Sequence, residues 1–518
     1  MFSGMPWPSL SAIELSSRIE RPFQGLVGSA RSSYGLSRWL FLRALGAIYL
    51  IAFLSLWVQV SGLIGVHGIA PAQEFLEGVG RYYPSVTAFH LVPTVLWLGA
   101  GDGALHLTCA LGVAGAVLLI ADVAPKLCLA IEWVLYLSLV AVGQDFLSFQ
   151  WDALLLETGL LAVLFAPNTT RPVSPSPSPS PLLLFLLWWL LFRLTFASGF
   201  VKLTWGDPTW RNLSALDYHF WTQPLPTWTA WYANLSPQWL KHVSVIGTYV
   251  LELGAPALLF GTRRMRQVAC LGVVAMQGLI FVTGNYTFFN LLTIALALLL
   301  LDDAIWIRVL PSRLTKRVVP SVPASAPIDS SWRIVTTIAG LLLLMAGTLR
   351  FVGTLAPRVS RSALLDGALE WAEPLRSVNG YGLFRVMTTT RLEIEVEGSD
   401  DGTLWKAYEF RYKPGDVQRR PGFVEPHQPR LDWQMWFAAL SPYDATTWFQ
   451  GFELRLLEGS PDVLDLLRAN PFPSHPPRYI RARLYGYRFT TAAERRSSGA
   501  WWVRRLVGDY GPVVTRAS

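Results

Sequence analysis

Cysteine is almost missing from this chain. Of 518 residues three are cysteine, Cys109, Cys128 and Cys270, and each lies inside an apolar stretch. The charged C-terminal third has none, so disulfides cannot hold it together even in an oxidising compartment. No cysteine pair has metal-ligand spacing, and neither a metal site nor another cofactor is expected. Charge is scarce as well: Asp, Glu, Lys and Arg make up 15% of the chain, against about 25% in soluble globular proteins. The scarcity is uneven. Residues 352–518 carry 22 Lys and Arg with 19 Asp and Glu, so 41 of the 78 charged side chains sit in the last third. That near balance leaves no basic stripe, which sets nucleic acid aside as a partner. Three further absences narrow the chemistry. There is no Gly-x-Ser-x-Gly elbow, no phosphate-cradling loop and no His-Glu-x-x-His pair. No internal repeat of the kind that builds transporters is visible.

What is abundant is hydrocarbon. The chain is 52% hydrophobic with a mean hydropathy of +0.36. A membrane span needs about 20 apolar residues. Nine stretches come near that: Trp39–Val60, Ala104–Ala121, Leu127–Gly143, Ala153–Ala166, Leu182–Val201, Val243–Phe260, Val268–Thr283, Phe288–Leu301 and Arg333–Val352. A shorter one, Val86–Leu98, contains Pro93 and reads as re-entrant or interfacial. The expected organisation is a cytoplasmic N-terminal segment (1–38), a multi-pass helical membrane domain (39–352) and a β-rich, sandwich-like extracytoplasmic domain (353–518). The N-terminus has no cleaved-signal pattern.

Charge bias tests the count. The Arg-rich N-terminus, the Arg263–Arg266 turn and the Arg308–Arg317 segment should face the cytoplasm. An odd number of crossings puts all three there and the C-terminal domain outside. The same count gathers the polar, aromatic loops on the outer face: Gly143–Glu157, Thr283–Asn290 and the stretch Gly199–Trp228. The Ser-Pro run Ser174–Pro181 reads as an extended spacer.

Charges inside spans are costly and face a bundle interior or a cavity. Glu132 and Arg193 suit structural pairing, Arg193 with a Glu on a neighbouring helix. Lys202, Asp207, His219 and Glu252 are the candidates for acid–base or cation-binding work at the outer face. One His and one Asp make a weak catalytic signal, and an interfacial helix with an aromatic belt explains the same stretch. Asp207 before Pro208 predicts a helix N-cap with proline at the first helical position.

In the last third, "RLEIEVEGSDDGTLWKAYEFRY" alternates, with Leu392, Ile394 and Val396 on one face, turns at Ser399–Gly402 and resumes: a β-hairpin pattern. Arg478–Phe489 alternates too. Asp432–Leu440 and Pro461–Ala469 read as helices, Asp432 as a possible N-cap. Tyr412–Trp436 is dense in Pro, Arg, His and Trp. It fits a loop held over an aromatic core, or a partner-binding surface of Arg420, His427, Arg430, Asp432, Trp433 and Trp436.

Several long motifs, "SGFVKLTWGDPTWRNLSALDYHFWTQPLPT", "TGNYTFFNLLTIAL", "YKPGDVQRRP", "PRLDWQMWFAAL", "NPFP" and "GAWWVRRLVGDYGP", resemble the lipase maturation factor family, from about Trp39 to the end. The resemblance implies a multi-pass protein that helps secreted lipases and other exported clients reach an active fold; the polar outer face of the bundle would support the outer domain or contact client or membrane lipid. It implies the endoplasmic reticulum membrane in a eukaryote and a lumenal C-terminal domain. The Arg-rich, Ser-Pro-spaced style resembles bacterial sequences, where the plasma membrane would take its place. The cysteine-free outer domain departs from any thiol–disulfide role. By layout, the nine-span plan also resembles vitamin K-dependent carboxylase-like proteins. That alternative implies an enzyme acting on a lipid or quinone-like substrate, with Lys202 as base.

Overall fold

The fold is described from a computed structural model, over residues 12–27, 33–170, 179–313, 315, 330–357 and 362–516. Most of the Ser-Pro spacer, part of the N-terminal segment and the end of the Arg308–Arg317 segment lie outside the described residues.

Among the described residues six helices are long and apolar enough to cross a membrane: Gly35–Trp57, Asp102–Ile120, Pro125–Val142, Pro181–Thr204, Arg263–Thr283 and Trp332–Leu355. A seventh is Phe289–Leu298 if taken with Asp303–Val309, the two being bent by 108°. The other two expected spans are helical but are not single helices of spanning length. Gln150–Phe165 has 16 residues. Gln238–Tyr249 continues through a π turn, Val250–Gly254, into Ala255–Leu258. The Val86–Leu98 stretch holds only the seven-residue helix Ser85–Leu91 and a 3-10 turn, Val95–Leu98. Leu, Ala, Val and Phe propagate the long helices, and proline enters Pro125–Val142 and Pro181–Thr204 at the first turn, where its missing N–H costs nothing.

Consecutive helices pack as neighbours: Gly35–Trp57 on Asp102–Ile120, that on Pro125–Val142, and that on Gln150–Phe165. The first pair approaches closely at Gly112, where any Cβ would overlap the Phe53 ring. Outward faces remain apolar, as at Leu271 (70% exposed) and Leu279 (66%), which suits lipid rather than water.

Arg193 pairs with Glu157 on the next helix, as its position in a span predicts. Glu132 does not follow that expectation. It is buried, and neither carboxyl oxygen has a hydrogen-bond partner. Glu132→Leu should therefore raise thermal stability in detergent, by about 1–3 kcal/mol, the cost of an unmet buried polar group.

Ion pairs mark one end of the bundle. Arg43 meets Asp122, Arg263 meets Asp302 at 2.6 Å, and Arg333 meets Glu20 at 3.1 Å. The C-terminal domain attaches at the other end, where Ser55 and Gln59 close the first long helix.

The domain is built on one antiparallel sheet. The strands are β1 (Arg391–Ser399), β2 (Lys406–Ala407), β3 (Glu409–Phe410), β4 (Leu467–Ala469), β5 (Tyr479–Phe489), β6 (Trp502–Asp509) and β7 (Val514–Thr515). The main sheet runs β2-β1-β5-β6, with β7 also on β5; β3 and β4 form a separate ribbon. The expected hairpin is there, with Glu397 opposite Ala407. Among the described residues no second sheet is seen beyond the two-stranded β3–β4 ribbon. Helices Arg430–Ala438 and Thr447–Glu458 pack on β1 and β5 in its place. Only Pro461–Leu464 of the expected Pro461–Ala469 helix forms, because Leu467–Ala469 is drawn into the ribbon. Asp432 is not an N-cap. It lies in the first turn and accepts the backbone N–H groups of Tyr412 and Lys413, both at 2.8 Å, so it pins the preceding loop.

Candidate functional site

Strand β1 alternates apolar and charged residues, a pattern that normally leaves the charged face in water. Here both faces are buried. Ile394 and Val396 enter the domain core, while Arg391 (2% exposed) and Glu393 (1%) lie on the opposite face. That face is covered by the stretch following the Pro181–Thr204 helix. Arg391 donates to the carbonyls of Trp221 (2.9 Å), Gln223 and Pro224 (2.8 Å), and pairs with Glu393. Lys413 lies 2.9 Å from the same carboxylate, so two cations share Glu393. Beside it the rings of Trp231, Tyr487, Phe489, Trp501 and Trp502 form one cluster, and Trp231 donates to the Thr490 carbonyl at 2.9 Å. The rings and charges after Gly199 thus form a platform under the sheet, held by three short helices, Pro208–Arg211, Ala215–Thr222 and Trp228–Asn234.

A second tie lies at Arg430. Its guanidinium grips Asp152 with two bonds, 2.8 and 2.9 Å, and donates to the Phe146 carbonyl at 2.6 Å. Tyr136 donates to the same carboxylate. The chain around it is fixed by Ser55, which binds His427 Nδ1 at 2.9 Å and accepts from the Gln428 N–H at 2.8 Å, and by Gln59, which accepts from the Arg430 N–H at 3.0 Å. A third tie centres on Glu157. Besides Arg193 it accepts from Tyr381 (2.7 Å) and from the Asn379 N–H (3.0 Å), so the segment before β1 is anchored between two helices. In the Thr283–Asn290 loop, Asn285 accepts from the Val424 N–H at 2.7 Å and donates to the Gly422 carbonyl at 3.0 Å.

These ties account for most of the residues singled out in the C-terminal segment. Arg430, Asp432 and Trp433 are buried and His427 is half-buried, and they are turned onto the bundle or the domain core; Trp433 meets Trp151 edge-on at 4.7 Å. Trp436 is half-buried and donates to the Thr222 carbonyl at 2.8 Å. Arg420 alone of the six is exposed, stacked over Trp228 at 5.9 Å. Arg391, Glu393, Asp152, Asn379 and Tyr381 were not anticipated. A carboxylate in "FQWDALLLE" and an arginine opening an alternating strand were the available signals.

The four acid–base candidates come only partly together. Lys202 and Glu252 form a buried pair, with Nζ 2.7 and 2.8 Å from the two carboxylate oxygens. Asp207 caps Pro208–Arg211 as predicted, accepting from the Thr209 N–H at 2.7 Å, and it also accepts from the Met387 N–H. His219 lies edge-on to Phe384 at 5.2 Å, and burial, helped by the Lys202 charge, lowers its pKa to about 4. The expectation of Lys202 as a base meets a physical obstacle, since its ammonium is saturated by Glu252 and the Ser198 carbonyl. Among the described residues no group of three or more His, Cys, Asp or Glu could hold a metal ion. All three cysteines are buried and free.

The Lys202–Glu252 pair does line a cavity of about 740 Å³. It lies between Pro181–Thr204, Arg263–Thr283, Phe289–Leu298 and the domain helix Arg430–Ala438.

Glu425 makes the junction pH-dependent. Burial raises its carboxyl to about 8, against the Tyr286 N–H and Asn290 amide that favour the charge. A folded-state pKa above the unfolded value stabilises fully below about pH 4.5, and the benefit is lost as pH rises through about 8. Burial lowers His427 to about 4, so its contribution has the opposite sign and is complete above about pH 6.5. Between pH 6.5 and 8 Glu425 therefore acts against His427 already at its plateau. Glu425→Gln should melt higher than the parent chain at pH 8 and equally at pH 4.5, measured by thermal unfolding in detergent.

Together the apolar helices and the buried ties define a class: a multi-pass membrane protein whose sheet-based domain is fastened to one end of its bundle. The lipase maturation factor transmembrane domain matches residues 36–308 and the lipase maturation factor C-terminal domain matches residues 377–512. Lipase maturation factor 2 of Gallus gallus is 38% identical, over 92% of this chain and 81% of its own length. The Homo sapiens protein of that name is 36% identical over 93% and 83%, and lipase maturation factor 1 of Bos taurus 35% over 93% and 90%. The chain belongs to the lipase maturation factor family. No solved structure matches it.

Proposed function

We propose that this protein assists the maturation of exported lipases, acting as a membrane-held folding factor rather than an enzyme. The observation that carries this reading is the match to named lipase maturation factors through both parts of the chain. The saturated Lys202–Glu252 pair supports the non-enzymatic side of it.

In this reading all nine helical segments cross the membrane, within a membrane domain of 39–352 and an outer domain of 353–518. The ion-paired arginine ends face the cytoplasm, and the C-terminal domain faces the lumen of the endoplasmic reticulum or, in a bacterium, the outer side of the plasma membrane. Separation of the arginine ends from the domain along the first helix supports that orientation. The buried residues of Tyr412–Trp436 hold the domain in place, and exposed Arg420 on Trp228 is the part of that segment offered to clients.

The test is removal of the protein from its own cell, followed by profiling of exported lipases. Their activity per molecule should fall severalfold at unchanged transcript level. Arg420→Ala should reproduce part of that loss without lowering the melting temperature. Unchanged lipase activity in the depleted cell defeats the proposal.

A further inference from the structure

The cavity between the bundle and the C-terminal domain has two unlike parts, and the maturation role uses neither. Its inner part follows the helices. Leu194, Thr195, Ser198 and Lys202 lie on one stripe of Pro181–Thr204, and Val273, Met276 and Ile280 on one stripe of Arg263–Thr283. Leu194 and Lys202 are eight residues apart, so this part runs for about 12 Å along the bundle. Its polar groups on the first helix are already satisfied. The Thr195 and Ser198 hydroxyls donate to carbonyls of their own helix, each at 2.8 Å, and Lys202 is held by Glu252. A narrow slot between two apolar stripes suits one extended acyl chain.

The outer part carries charge. Asp145, in the turn Gln144–Leu147, and Arg385, in the segment before β1, are exposed and line the cavity, which places them at its rim. Among the described residues neither has an ion-pair partner. Arg385 stacks over Trp205 at 4.5 Å, at the outer end of Pro181–Thr204. The Gln434 amide donates to the Asp145 carbonyl, which brings that turn against the helix of Trp433, Trp436 and Phe437. Those three rings, with Phe149 and Trp151, all line the cavity and meet one another at 4.5 to 5.9 Å. A carboxylate beside clustered rings suits a quaternary ammonium, and an unpaired guanidinium suits a phosphate. An anionic amphiphile leaves Asp145 unanswered, a cationic one leaves Arg385, and a neutral one leaves both. The volume of about 740 Å³ falls within the about 300–1,000 Å³ typical of pockets enclosing one small molecule. We propose that the cavity binds a choline phospholipid with a single acyl chain, its phosphate on Arg385, its trimethylammonium by Asp145 and the ring cluster, its chain in the slot between the two helices.

The probe is lysophosphatidylcholine with a diazirine in mid-chain, added to the full-length protein in nanodiscs of phosphatidylglycerol, which hold no choline. Labelling that unlabelled lysophosphatidylcholine competes away should map to peptides of Pro181–Thr204 and Arg263–Thr283. Lysophosphatidic acid, hexadecyltrimethylammonium and monopalmitoylglycerol, which lack one charge or both, should compete several times less well. Arg385→Gln should weaken the competed labelling about tenfold, the worth of a hydrogen bond to a charged group. Asp145→Asn should weaken it about fivefold, as for an ion pair near the surface. Both side chains are exposed and without ion-pair partners among the described residues, so both variants should melt with the parent chain. Parent-level labelling in either variant overturns the proposal. So does equal competition by any of the other three amphiphiles. Lipase maturation is not read in this assay, so the two proposals fail separately.

Discussion

Arg430→Ala should release the C-terminal domain from the bundle. The substitution leaves Asp152 buried with a lost bidentate partner and strips the Phe146 carbonyl of its donor. Breaking one side of a buried pair costs about 3–5 kcal/mol, a large share of the about 5–15 kcal/mol that holds a typical fold. Limited proteolysis in detergent should cut within residues 412–436, which the parent chain protects. Arg430→Lys should rescue little, because a point-like ammonium cannot reproduce a planar fork on one carboxylate. The double variant Arg430→Met with Asp152→Leu should recover much of the stability, since it removes the orphaned charge along with the pair. A protease pattern unchanged in Arg430→Ala would mean the domain is held elsewhere.

Arg391→Ala should have an effect of the same order through the other tie. Three carbonyls of the Trp221–Pro224 turn lose their donor, and Glu393 keeps only Lys413. The expected cost is about 1–3 kcal/mol for each carbonyl left without a donor, while Glu393 stays paired with Lys413. The damage should be local to the platform, with the Trp231–Trp502 ring cluster loosening first. Hydrogen exchange would show this as faster exchange in Ala215–Thr222 and β1, with the apolar helices unchanged. Arg391→Lys should fail too, because one ammonium cannot reach three carbonyls and a carboxylate in their present directions. Protection of Ala215–Thr222 at the parent level would contradict the assignment of Arg391 as the clamp.

Much of this layout was legible in the residues, for identifiable reasons. Apolar runs over Trp39–Val60 or Leu182–Val201 have one stable solution in a membrane, so their helices appear close to the expected bounds. The Asp207–Pro208 cap and the Ser399–Gly402 turn depend on local chemistry, and both formed. Long-range partnership was harder to read. Glu393 in an alternating strand looks solvent-facing until the Trp221–Pro224 turn covers it, and nothing near Glu393 announces that turn. Arg430 and Trp433 carry the residue types of an interaction surface, and they do form one, but with their own bundle. The same density of Arg, Trp and Tyr serves an internal junction as well as an external partner, because both need desolvated, directional contacts. The second sheet was overestimated because Leu467–Ala469 and Glu409–Phe410 form only a short ribbon, and helices supply the remaining cover.

The account turns on which compartment holds the C-terminal domain, and a pair of reporters fused after Ser518 measures it directly. In a bacterial host an alkaline phosphatase fusion should be active and a green fluorescent protein fusion, exported unfolded, should stay dark, placing the domain away from the cytoplasm with its exported clients. A bright fluorescent fusion with an inactive phosphatase would put the domain in the cytoplasm, beyond the reach of any secreted lipase.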